Sequence, residues 1–201
     1  MKNNRHSMRE KIIEESTNLF LHKGFHGTTI KDITAAVNLT KGAIYWYFKS
    51  KDELLETILE EWEKAFLDGL IASNNEVDGN FLDKFRQYHK YSTEFAVKHR
   101  ELCVVWTTLT AEIAGSGLKA EKKFRNVLER YVEFVKGLIE TGKAEQTVKE
   151  DLDSYILANV IIGMHNGILL QWYTKHDDIE GPQLARAFRS VLLAGMTLGG
   201  S

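Results

Sequence analysis

The chain has 201 residues, 43% of them hydrophobic, with a single proline and a single cysteine. Such a chain can bury a substantial core, has little to interrupt long helices and cannot build a disulfide framework, so a mostly helical protein of a reducing cytoplasm is expected. The formal net charge of -2 conceals an imbalance: residues 1–51 carry nine Lys/Arg against four Asp/Glu, and the remainder carries 17 against 24.

A basic head on an acidic body suits contact with a polyanion at one end only. The opening residues, MKNNRHSMRE, lack the apolar run of a signal peptide. Ser7–Glu10 has the S-x-x-E pattern of a capping box and starts the first predicted helix. Ile12, Leu19 and Phe20 share a face, Gly24 ends the helix, and Phe25 turns back onto the core. Lys2, Arg5 and Arg9 are within reach of a phosphate backbone, or else form a solvated basic terminus.

Thr29 caps the second helix with Asp32 as its reciprocal partner, and Ile30, Ile33 and Val37 give it one apolar face. Asn38 tolerates the left-handed conformation of a turn. Thr40 then caps a third helix, Lys41–Phe48, in which Ile44 and Phe48 point inward. Gly42 and Trp46 lie opposite Ile44, with Ala43 and Tyr45 on the flanks and Tyr47 nearer the core edge. An outer face of Lys41, small residues and aromatic rings with polar tips suits a helix that enters the DNA major groove. The competing reading, a helical hairpin whose aromatics meet another protein, leaves the basic charge unexplained.

The run T-T-I-x-D-I followed by L-T-K-G-A-I-Y-W-Y-F-K-S-K-D-E-L resembles the DNA-binding domain of the tetracycline-repressor (TetR) family. The resemblance is close over the first quarter of the chain and holds in outline beyond it; Asn38 stands where the family often has glycine. It implies an all-α protein of about nine helices, with a helix-turn-helix domain at 1–52 and a ligand-binding and dimerisation domain at 53–201. It further implies a homodimer that represses from a roughly palindromic double-stranded operator, with half-sites about 34–36 Å apart or a multiple of that. On this reading Lys41, Gly42, Ala43 and Trp46 face the groove. Thr29, Thr40, Tyr45, Tyr47 and Lys51 position the phosphate backbone.

Ser50–Glu53 opens a long fourth helix that runs to about Ala72 and joins head to body without a flexible linker. Asn74–Asn80 is a turn cluster; helices follow at about 81–98, 101–114 and 118–141, with Gly115-Ser116-Gly117 breaking the chain and Gly142 closing the last of them. Ser154–Thr174 contains no charged residue, but Asn159, His165, Asn166, Gln171 and two glycines argue for burial by protein rather than by membrane. Gly163 and Gly167, four apart, permit close approach of another helix. With Phe188 and Leu192 of a final helix beginning near Pro182, they form the expected dimer interface.

Trp62, Phe66, Tyr88, Tyr91, Phe95, Trp106 and Tyr131, joined by Thr110, His165 and Asn166, describe either an ordinary core or an aromatic-walled pocket for a small apolar effector. The acidic body disfavours an anionic effector, and Glu112 mildly favours a cation. Cys103 reads as a packed thiol, and His22 and His26 lack a third metal ligand. Catalytic, nucleotide-binding and cofactor motifs are missing, so no enzyme, cofactor or metal is expected. Two further classes stay open: an architectural DNA-binding protein without ligand control, and a helical enzyme using Glu112 and His165.

Overall fold

The computed structural model describes residues 2–175 and 177–199, with side chains from Ser7 onward. Helix α1 spans Lys2–Gly27, α2 Ile30–Val37, α3 Lys41–Tyr47 and α4 Lys51–Trp62. A π-helical stretch, Glu63–Asp68, carries α4 directly into α5, Gly69–Asn75. Then come α6 (Phe81–Lys98), α7 (Arg100–Ile113), α8 (Lys119–Ala144), α9 (Ser154–Thr174) and α10 (Gly181–Met196). The architecture is all-α, as expected. Among the described residues no helix is long and apolar enough to cross a membrane.

Local chemistry sets most of these boundaries. The Thr29 hydroxyl accepts from Asp32 N at 3.2 Å while the Asp32 carboxylate accepts from Thr29 N at 2.8 Å, a complete capping box. Asn38 takes φ 55°, ψ 47° and closes α2. Gly24, at φ 71°, breaks α1 where a side-chain-bearing residue would be strained. Ser50 accepts from Glu53 N at 3.0 Å, opening α4. Further along the chain, Asn80 and Asp83 form a second complete box that starts α6 at Phe81.

Three expectations need correction. Helix α1 begins upstream of the Ser7–Glu10 box, so that pattern lies inside a helix rather than at its start. Gly142 does not close α8, which continues to Ala144. Instead Gly142 admits Phe81 and Val148 where a Cβ would collide with both. Phe188 and Leu192 are only 5% and 6% exposed within the subunit, so they are core residues rather than interface residues.

The chain folds as two compact units. The first runs to Glu63 and takes in Glu101–Asn126; the second is Lys64–Arg100 with the chain from Val127 onward. In the first, α1 packs on α2 and α4, and α2 on α3. Trp62 of α4 stacks on Trp106 of α7 at 3.6 Å between ring centroids, with Phe124 of α8 against Trp106 at 4.6 Å. The Asp52 carboxylate accepts from the amides of Lys119 and Ala120, which caps α8 from the first turn of α4. Glu121 accepts from Gly115 N and Gly117 N and is held down to about 2, chiefly by Arg125 and then by those amides. In the second unit α6 packs on α5 and α10, and α10 on α9.

Candidate functional site

The head presents α3 as an outward-facing helix. Ile44 and Phe48 are buried at 1% and 2% exposure, which anchors one side. The opposite side leaves Trp46 61% and Tyr45 42% exposed, and Lys41 and Gly42 are exposed beside them. The Lys41 ammonium sits over the Tyr45 ring at 5.9 Å, and Trp46 meets Tyr47 edge-on at 5.1 Å. A Cβ at Gly42 would meet nothing within 4 Å, so this flank is open to close approach. Thr40 accepts from Ala43 N at 3.2 Å. A concavity between α2 and α3 is lined by Thr29, Ile30, Lys31, Thr34 and Lys41. Lys31 and Thr34 were missed from sequence; the signal was the place of Lys31 on the outer face of α2 and of Thr34 on its flank.

Two residues expected at phosphates are occupied within the head. The Lys51 ammonium donates to the carbonyls of Phe25 and Thr28, the latter at 2.7 Å, and lies 4.2 Å from the Phe25 ring centre. Partial burial lowers its pKa, with Glu112 acting in the opposite sense. Lys51 therefore fastens the α1–α2 corner. Thr29 exchanges hydrogen bonds with Asp32 and serves the start of α2. Arg9 stacks over Phe48 at 5.1 Å, while the side chains of Lys2 and Arg5 lie outside the described residues.

Glu112 is also reassigned. Its carboxylate accepts from Phe25 N at 2.7 Å and its backbone carbonyl is 3.2 Å from His26 Nε2. Gly24 lies so close that a Cβ there would collide with the carboxylate. This acid is committed to the corner of the head, where it also acts on the Lys51 ammonium.

The expected ligand residues fall into two groups. Trp62, Trp106 and Thr110 belong to the first unit, where the tryptophans stack and the Thr110 hydroxyl donates to Trp106 O at 2.7 Å. In the second unit Phe66 packs against Tyr91, Phe95 and Tyr131. The Tyr88 and Tyr131 hydroxyls meet at 2.9 Å, and Tyr88 reaches His165 Nδ1 at 3.5 Å. Asn166 is half-buried on α9. His165 also lines a cleft between α6, α9 and α10, with His89, Ala96, Val97, Trp172 and Phe188 among its other walls. The sequence reading overlooked His89, although it lies on the stripe Phe81, Phe85, Tyr88, Ser92, Phe95 that α6 buries.

A profile of the tetracycline repressor-like C-terminal domain matches residues 78–196, more than half of the chain, and one of the tetR-family bacterial regulatory proteins matches residues 12–58. The chain belongs to the TetR family of bacterial regulatory proteins. The regulator is 30% identical to the MbdR regulator from Azoarcus sp. CIB, whose crystal structure it matches with a TM-score of 0.84 over 92% of this chain and 97% of that one. It is 22% identical to the transcriptional repressor KstR2 of Mycobacterium tuberculosis over 96% of this chain and 95% of that protein. The structure of AibR in complex with isovaleryl coenzyme A and operator DNA is 18% identical, with a TM-score of 0.77 over 92% and 98% of the two chains. Family membership makes the chain a bacterial regulatory protein with a tetR-type N-terminal segment and a tetracycline repressor-like C-terminal domain.

Buried titrating groups give the regulator a pH signature. Burial holds His89 down to about 3, helped by His165 and Arg189, and burial holds His165 down to about 4. Both are neutral when folded, whereas the unfolded chain takes up their protons near the ordinary 6.5. Their stabilisation is therefore complete above about pH 6.5 and is lost as pH falls toward 4, by up to about 1.4 kcal/mol per pH unit for each histidine. Urea denaturation at pH 7.5, 6 and 5 measures this; His89→Phe should flatten the dependence. Cys103 is buried, and burial followed by Glu101 pushes its thiol up to about 12, which fits a packed rather than a reactive residue.

Proposed function

We propose that the protein acts as a homodimer in which each α3 enters the major groove of a roughly palindromic operator, and that a small, largely apolar effector releases it. The observation that carries this is the exposed Lys41–Tyr47 face, apolar and cationic on a helix whose other side is fixed in the core. Trp46, Gly42, Ala43 and Lys41 meet the base edges; Thr40, Tyr45 and Tyr47 meet phosphates, and Lys31 joins them. A boundary near residue 52 separates the reading function from the effector and pairing functions, although Glu101–Asn126 packs with the head.

Pairing falls to α9 and α10. Ile156, Val160 and Met164 are exposed on α9 alongside Gly163 and Gly167, and Val191 is 63% exposed on α10. An apolar face of this kind is expected to be covered by a second copy. The AibR complex supports an effector with an acyl portion. The function is tested by selecting bound duplexes from a random-sequence pool: a two-fold symmetric sequence should be enriched, and a pool without any enrichment would remove the operator-reading role.

A further inference from the structure

We propose that the cleft between α6, α9 and α10 binds an amphipathic anion, an apolar chain or ring carrying a carboxylate or phosphate. The cleft has two adjoining sections whose linings share His89, Thr93 and Ala185. One, a narrow cavity of about 40 Å³ that continues into open solvent, is walled by Val97, Ile168, Leu169, Trp172, Leu184 and Phe188. Apolar walls with a few polar groups at one end are the lining of a small-molecule site. The other is bordered by Lys90, Arg186 and Arg189, with Glu94 as the acid among its lining residues. None of these three cations makes an ion pair among the described residues.

At the junction of the two sections, His89 is 4% exposed, and its Nε2 has no hydrogen-bond partner among the described residues. A buried polar atom without a partner is costly unless something completes it. An N–H there fits the carbonyl oxygen of an acid, ester or thioester, placed between an apolar tail in the first section and an anionic group in the second. Local charge thus reverses what the acidic composition of the body suggests, because Glu112 is committed to the Phe25 amide and the cleft mouth is cationic. The consequence for DNA rests on the ligand-responsive reading above, whereas binding itself does not.

A free carboxylate and a coenzyme A thioester present the same combination, and the test separates them. The full-length protein is titrated calorimetrically with decanoate, decanoyl coenzyme A, decanol and decyltrimethylammonium, each below its micellar concentration. At least one anion should bind at least about tenfold more tightly than the alcohol and the cation, as charge-assisted hydrogen bonds require. The double variant Arg186→Ala/Arg189→Ala should lose that preference and leave decanol binding unchanged. Ala185→Trp, which fills the shared wall, should lose all binding. Equal binding of the cation or the alcohol, an anion preference that survives in the arginine variant, or no binding of either anion would overturn the proposal. An anion that binds in the cleft yet leaves operator affinity unchanged would support the site and contradict ligand control.

Discussion

Replacing Gly163 and Gly167 together by leucine should split the proposed homodimer into folded subunits. A Cβ at either position meets nothing within 4 Å inside the subunit, and both glycines are exposed. Leucine is also the better helix former by roughly 0.8–1 kcal/mol per position. The isolated subunit should therefore be as stable as the wild type or more so. Across a two-fold interface each substitution acts twice, and overpacking costs about 1–3 kcal/mol per site. Four such sites weaken association by at least about 4 kcal/mol, roughly a thousandfold in dissociation constant. Sedimentation velocity should show monomers at micromolar concentration, with operator affinity falling in step because two heads no longer bind as one. A dimer of unchanged affinity would place the interface on other helices.

Removing the Glu112 carboxylate should loosen the head without touching the α3 face proposed to read DNA. In the folded chain it accepts from Phe25 N beside the left-handed break at Gly24, and Lys51 secures the same corner through the carbonyls of Phe25 and Thr28. Glu112→Ala leaves a part-buried amide unpartnered and withdraws a negative charge from beside Lys51. The expected loss is about 1–3 kcal/mol of unfolding free energy, with weaker binding to every duplex alike. Glu112→Gln keeps an acceptor oxygen and should recover part of the loss. Denaturation curves of alanine and wild-type proteins that coincide would show the contact to be incidental.

The head was legible because its determinants are local. Thr29 with Asp32, Asn38, Thr40 and Ser50 with Glu53 each act within a few residues, and the side opposite Ile44 follows from helical periodicity alone. The expected helix at about 81–98 matches α6, and α9 occupies the uncharged run Ser154–Thr174, but the caps that set them, Asn80 with Asp83 and Asp153 accepting from Ile156 N, were not read. What could not be read were contacts made over long separations. Glu112 lies 87 positions from Phe25 and Lys51 lies 26 from it, so neither partnership leaves a trace in spacing.

The effector residues posed a different difficulty. Trp62 and Trp106 have the same helical spacing whether they line a cavity or, as here, stack on each other. On α10 a single position, about 100° of rotation, separates exposed Val191 from buried Leu192. Deciding between them from sequence requires knowing that α6 and α9 both pack on α10.

The central claim, that α3 reads DNA sequence, is tested most directly by comparing wild type and Trp46→Ala on the selected duplex and on a random duplex of equal length. Fluorescence anisotropy at matched salt gives both affinities. Because Trp46 is 61% exposed, its removal should cost the fold little. Binding to the selected duplex should weaken by about tenfold or more, as loss of a base contact requires, while random-duplex binding changes far less. Equal losses on the two duplexes would contradict base reading by this helix.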